Sequence, residues 1–532
     1  MKFYALVFFL VLFPTAAFAQ SSAQTGVGAV SFPNSGSPSA QPEFLLGLAQ
    51  LHNFEYEDAA KHFRAAQKLD PGFAMAYWGE AMTHNHGIWH EQNLRAAREA
   101  LGRLAATPEA RQAKAPTSRE KQYLGAIEIL YGEGAKDDRD QLYVAAMSQL
   151  HRNIPDDVDA TAFYALAILS SAEHGRDFAT YMRAAALLEE VFPAHSHHPG
   201  VVHYLIHSYD DPIHAPLGLR AARIYSAVAP EAGHAQHMTS HIFLAMGMWD
   251  DVVKANEIAV SVVNRQRAAD GEEPRYCGHY PYWLQYGYLQ QGRINDARRV
   301  LENCRDEARR QSERRAGNPN AHSDMSSVGA YAMMRANFLV DSKLWKETEA
   351  FPSFSGTRSP FTRMAFDYAD AFAAFKLGNL AAAKESLAQM DQVLAEMKSH
   401  LEQNRAVQNQ SDDVNDYSGQ TILADQIRAL LSWATLANSA ASADAAAAPN
   451  PKARVASETI TTLKSLAEKE RALPMEFGPP VIFKPTYELL GELYLESNRP
   501  SDAALAFQSA LARAPNRRLA QLEVPPSERQ SF

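Results

Sequence analysis

From residue 42 onward, apolar residues recur at spacings of three and four along almost the whole chain. Pro and Gly punctuate the pattern, and alternating β-branched runs are nearly absent. That periodicity predicts an all-α chain of short helices rather than a sheet protein. Two stretches break it. Residues 20–41 are rich in Ser, Gly and Pro, and residues 437–457 are rich in Ala, Ser and Pro around Ala445–Pro449; both are expected to be flexible. They divide the chain into a main helical array over 42–436 and a C-terminal helical piece over 458–532.

Within the helical pattern one spacing returns. Leu46-Gly47, Ala59, Phe63, Ala66 and Pro71 are repeated by Leu490-Gly491, Ala503, Phe507, Ala510 and Pro515. Leu284, Tyr288, Ala297, Leu301 and Cys304 form a third copy, and Ala371, Ala374, Gly378, Ala383, Leu387 and Met390 a looser fourth. The glycine and alanines let paired helices approach, the aromatic fills the hole between them, and the proline ends the second helix. These residues resemble the tetratricopeptide repeat, with its 34-residue period and an aromatic three places after the glycine. Tyr494 supplies that aromatic in the C-terminal copy, whereas Gln50 stands there in the N-terminal one. The expected fold is a tetratricopeptide-like superhelix of helical hairpins.

The resemblance narrows with the run His52 to Tyr56, Asp70-Pro71 and Ala74 to Met82, followed by His198-Pro199-Gly200, His203 to His207 and His234 to His241. Together these are similar to a histidine-rich group of exported bacterial tetratricopeptide repeat proteins. The resemblance implies an architecture and no reaction. Members of the group carry cysteines near Gly36 and Phe73; this chain has neither, so no bridge joins those places here.

Composition narrows the function. The chain has 532 residues with 51 Lys and Arg against 61 Asp and Glu, a net charge of −10. It lacks the basic surface that binds nucleic acid or anionic lipid by counterion release. Lys2, the apolar run Phe3–Phe13 and Ala17-Phe18-Ala19 read as an export signal over 1–19, cleaved before Gln20, which predicts a periplasmic or secreted protein. No later run approaches 18 uninterrupted apolar residues, so no membrane span is expected. With only two cysteines, an oxidising compartment permits one bridge, Cys277 to Cys304.

The candidate chemistry lies in histidine. Nine of the 19 histidines fall between His195 and His241. On a helix His203, His207 and Asp210 share one face, and His234, His237 and His241 share another. His203 to His237 and His207 to His241 are each 34 residues apart, the repeat period, so the two pairs are expected at equivalent places in consecutive repeats. Counting from Pro199, Gly233 and Gly278, His203 and His237 take the fifth place, His207 and His241 the ninth, and His234 and His279 the second. In tetratricopeptide arrays, the resemblance implies, such places line a concave ligand groove. Neutral imidazoles suit zinc, iron, copper or nickel. The expected site therefore converges His203, His207, His237 and His241 on one concave spot, with His234, Asp210, Asp211, His198 and His279 near by and Tyr282 and Tyr286 lining the groove.

Other signals are weaker. His84, His86 and His90 beside Trp89 read mainly as surface contacts, and Glu488, Glu492 and Glu496 as a solvated helix face. Phosphate loop, nucleophile elbow and HExxH motifs are all missing. Three functions stay open: a binding protein whose groove takes a peptide, protein or small ligand together with a transition metal, a metal-dependent enzyme using the same cluster, or a metal-free interaction scaffold.

Overall fold

The computed structural model describes residues 26–172, 175–314, 326–408, 417–439, 451–475 and 477–523. The predicted export signal and its cleavage site lie outside these. Among the described residues there are 23 α-helices and one two-stranded hairpin, Asn85–His86 with Glu91–Gln92. The helices pair as antiparallel hairpins that stack side by side into a tetratricopeptide-like superhelix. Gln41–His52 pairs with Tyr56–Leu69 at one end, and Thr486–Glu496 with Pro500–Arg513 at the other. The packing logic read from the sequence is visible at Phe63, which is fully buried. A Cβ on Gly47 would sit 3.1 Å from its ring and one on Gly79 only 2.3 Å away. The ring therefore fills the space left by two glycines on neighbouring helices. Gly491 and Phe507 repeat the arrangement at 2.7 Å.

The expected flexible segments 20–41 and 437–457 are corrected where they fall within the described residues, which exclude 20–25 and 440–450. From residue 26 the N-terminal stretch is an extended strap, with Phe32 wholly buried among Phe44, Trp78 and Tyr123 at centroid distances of 5.4, 5.7 and 5.1 Å. Ser35 donates through its backbone N–H and its hydroxyl to Glu120 at 2.8 and 2.6 Å, and Asn53 donates to the Val27 carbonyl at 2.7 Å. Few residues there are apolar, but Val27, Val30, Phe32 and Ala40 are buried, which composition does not reveal. Gly36 packs on the Phe73 ring, where a Cβ would come within 2.6 Å. Helices also extend through Ser439 and from Pro451, so only 440–450 of the second predicted break lie outside the described residues.

The C-terminal hairpin does not trail from the array. It returns to the middle of the chain, where Trp249 donates to the Asn516 carbonyl at 2.8 Å and the Arg518 N–H donates to Gln290 at 2.9 Å. Gly247, at φ 65°, provides the left-handed turn that lets the Pro515 carbonyl approach it closely. Behind this contact lies a buried ionic network. Arg517 bonds Asp341, Glu488 and Tyr286, and Lys484 bonds Glu488 and Glu492 at 2.5 and 2.6 Å. The expectation of a solvated glutamate row is thus corrected for Glu488 and Glu492, which pair with Lys484 just before their helix and with Arg517, Lys343 and Lys376 from elsewhere in the chain.

Cys277 and Cys304 form a disulfide with a Cα separation of 4.7 Å. It ties the turn before His279–Gln290 to the middle of Ile294–Arg314. In the chain-entropy model a loop of this size contributes about 3–4 kcal/mol. Cys277→Ser, or reductant with the wild type, is expected to lower denaturation midpoints accordingly, and an unchanged midpoint would contradict it. No helix among the described residues is long and apolar enough to cross a membrane.

Candidate metal centre

Three consecutive first helices carry the histidines: Pro199–Tyr209, Gly233–Ala245 and His279–Gln290. Each start is set locally. His198 caps the first helix by accepting the Val201 N–H through Nδ1 at 3.3 Å, with Pro199 at the next position. Glu55 accepts the His234 N–H at 2.9 Å at the start of the second. Gly278, at φ 113°, makes the turn into the third, a conformation open to glycine.

The six histidines sort into two triads. One ring nitrogen each of His203, His207 and His234 lie within 4.8 Å of one another, and so do those of His237, His241 and His279. Both triads follow one rule: the fifth and ninth places of one repeat meet the second place of the next. The expected four-histidine spot of His203, His207, His237 and His241 is corrected accordingly, because the first helical turn of the following repeat supplies the third ring. The triads stay adjacent, with His207 and His241 ring centroids 5.5 Å apart.

The hydrogen bonds of the Nδ1 atoms decide what the Nε2 atoms can do. His203 Nδ1 meets the His52 carbonyl at 2.6 Å, and His207 and His241 Nδ1 meet the same Asp210 oxygen at 3.3 and 2.9 Å. His237 Nδ1 meets Asn256 Oδ1 at 2.7 Å, and Asn256 is oriented by donating its amide to the Val252 carbonyl at 2.8 Å. All these partners can only accept, so each of the four rings donates from Nδ1 and carries a lone pair on Nε2. His234 Nδ1 lies 3.4 Å from the Tyr280 hydroxyl. The Nε2 atoms of His203, His207 and His234 are buried without a hydrogen-bond partner. In the second triad the Nε2 atoms of His237 and His241 face each other at 3.1 Å as two lone pairs, since both rings donate from Nδ1.

Protonation is a poor remedy. Burial pushes His203 down to about 3 and His279 down to about 4, and holds His207, His234, His237 and His241 well below the ordinary imidazole range. Converging lone pairs that resist a proton suit a cation with stronger affinity for nitrogen.

Asp210 belongs to neither triad, although its carboxylate and one nitrogen each of His207 and His241 also lie within 4.8 Å of one another. Its carboxylate takes the Nδ1 protons of one ring from each triad and is itself gripped by the Arg176 guanidinium, which also reaches Asp211 at 3.2 Å. Asp211 in turn bonds His214 at 2.9 Å. His198 belongs elsewhere. With His52 it brackets Asp159 at 3.2 and 2.9 Å, and His52 Nδ1 is taken by the Tyr204 hydroxyl at 3.0 Å. That trio joins repeats and is a separate buried group whose ligand atoms lie within 4.8 Å of one another, with the second Asp159 oxygen buried and unpartnered.

An open groove of imidazoles is likewise corrected, since His203, His207, His237 and His241 are at most 2% exposed. Two aromatics to which the sequence assigns no place at the site cover them. Phe54, held at φ 58°, lies 4.3 Å from the His203 ring centroid, and Phe477 stacks on His241 at 5.2 Å and meets His207 edge-on at 6.0 Å. They come from opposite ends of the chain and bear no spacing relation to the histidines. Trp283 stacks on His241 at 4.5 Å. His86 stacks on Tyr56 at 4.1 Å, apart from both triads. Tyr282 lines a cavity next to His279, whereas Tyr286 is buried against Arg517 at 2.9 Å and lines no groove.

No family model matches this chain, and no curated protein matches it. Among solved structures, human IFIT1 dimer with m7Gppp-AAAA is similar at 13% identity, with 91% of each chain covered and a TM-score of 0.30. Yeast Tom70 is similar at 12% identity over 91% of this chain and 95% of that one, with a TM-score of 0.30. The Cut9 complex with Hcn1 is similar at 11% over 95% and 79%, with a TM-score of 0.33.

Proposed function

We propose that this chain is an exported helical-repeat protein that holds transition-metal ions between consecutive repeats. One ion would sit in the triad His203, His207 and His234, and one in the triad His237, His241 and His279. The observation that carries this is the convergence of three imidazole nitrogens in each triad, two of whose rings are buried and have the opposite nitrogen already committed to an acceptor. An apolar or hydrogen-bonded core has no use for three orphaned Nε2 atoms in one place, because each costs about 1–3 kcal/mol of desolvation. All-imidazole sets suit zinc, copper, iron or nickel rather than magnesium or calcium. Three protein ligands also leave a position open, as in catalytic zinc sites and unlike closed structural ones. The superhelix is the scaffold that sets the repeats in register.

Elemental analysis of untagged protein, before and after chelator dialysis, tests this. One ion per triad is expected. His207→Gln should empty the first triad and His279→Gln the second, each leaving the other loaded. Protein that carries no metal after incubation with zinc, copper, iron or nickel salts would leave the metal-free interaction scaffold as the reading.

A further inference from the structure

Beside the second triad, a cavity of about 350 Å³ opens between the helices His279–Gln290, Ser327–Ser342, Pro360–Lys376 and Ser418–Ser439. Its wall is mostly apolar, with Met333, Phe361, Met364, Leu423 and Val481. Its size lies in the range of small-molecule sites. No Asp, Glu, Lys or Arg side chain lines it. Two polar features stand out. His279, the one partly exposed ring of the second triad, lines the cavity, and so does Gln420, which is 8% exposed and whose buried Oε1 has no hydrogen-bond partner. Tyr282 and Thr362 add to the polar part of the wall, the Tyr282 hydroxyl accepting from the Asn337 amide at 3.0 Å.

We propose that this cavity binds a small, largely apolar monocarboxylate whose anionic head reaches the metal of the His237, His241 and His279 triad and whose body carries one N–H or O–H donor toward Gln420. The inference rests on the metal reading. Three neutral imidazoles leave a divalent ion uncompensated, and the carboxylate bonded to this triad, Asp210, is engaged by Arg176 and by two Nδ1 protons. A charge without a counter-charge in a buried site is costly, so an anionic head is favoured over a neutral one. The wall selects an apolar body, and the orphaned Gln420 oxygen selects a donor on it. The first triad lacks such an approach, since all three of its rings are buried.

Calorimetric titration of the zinc-loaded full chain with 3-(4-hydroxyphenyl)propanoate tests this, with the corresponding alcohol as the neutral-head control and metal content measured on every sample. The acid is expected to bind in a one-to-one ratio, at least tenfold tighter than the alcohol and at least tenfold tighter than to chelator-stripped protein. Met333→Trp, or the smaller obstruction Ala330→Leu, should weaken binding at least tenfold while zinc content and thermal midpoint stay as in the wild type. Equal binding of acid and alcohol, binding indifferent to zinc, or binding indifferent to both obstructions would overturn the inference. Loaded protein that ignores the acid would overturn it while the metal reading stands. Protein that takes up no metal fails both, and elemental analysis separates the two cases.

Discussion

Asp210→Asn is expected to weaken both metal sites together, by about 10–100-fold each, although Asp210 belongs to neither triad. One of its oxygens takes the Nδ1 protons of His207 and His241, which belong to different triads. A carboxylate there fixes the ring orientation, selects the tautomer with a free Nε2 and raises the basicity of that nitrogen. An amide removes the charge and turns one side of the group into a donor that competes with the Nδ1 protons. Competition titration against a coloured chelator reads both affinities. Asn256→Ala is the control: it supports only His237, so it should weaken the second site and spare the first. Loss confined to one site in Asp210→Asn would show that the triads do not share their support. Loss at both sites in Asn256→Ala would indicate a general loosening of the helices.

The same residues show how far the sequence leads. The 34-residue relation between His203 and His237, and between His207 and His241, places both pairs correctly on consecutive first helices, because repeat register is a local property that periodicity records. The partition into triads is not recorded there. Gly233 to Gly278 exceeds the repeat period, so His279 is placed in the sequence only by counting from Gly278, and the turn at Gly278 and the nearby Cys277–Cys304 bridge set it at the start of its helix. Phe477 and Arg176 are long-range partners. They reach the histidines only because the chain closes on itself and because a turn brings the Arg176 guanidinium onto Asp210. The strap at 26–40 was hidden for another reason: its composition is that of a linker, and only the gaps it fills make it structural.

Acid is expected to start destabilising the metal-free protein below about pH 6.5, before ordinary carboxylates titrate. His203 is held at about 3 and His52 at about 4 in the fold, both by burial, whereas in the unfolded chain each titrates near 6.5. Between those values the unfolded state binds protons that the folded state refuses, so stability is full above 6.5 and falls as pH drops below it. Each such ring costs about 1.4 kcal/mol per pH unit, and His52 and His203 together about 3 kcal/mol per unit. His207, His234, His237 and His241 are shifted the same way and steepen the slope. Against a typical total of about 5–15 kcal/mol, unfolding by about pH 4–5 follows. The Asp159 carboxylate, held far below its ordinary range by hydrogen bonds from His198 and His52, does not account for it, since its contribution is lost only at much lower pH. Denaturant midpoints of chelator-treated protein at pH 7, 6 and 5 should fall steeply, whereas zinc-loaded protein should hold its midpoint to lower pH, until protons compete the ion away. His203→Leu would remove one titrating ring and flatten the metal-free slope. Midpoints that stay level from pH 7 to 5 in the metal-free protein would mean that the rings accept protons in the folded state, and the lone-pair argument for the metal centre would fall with them.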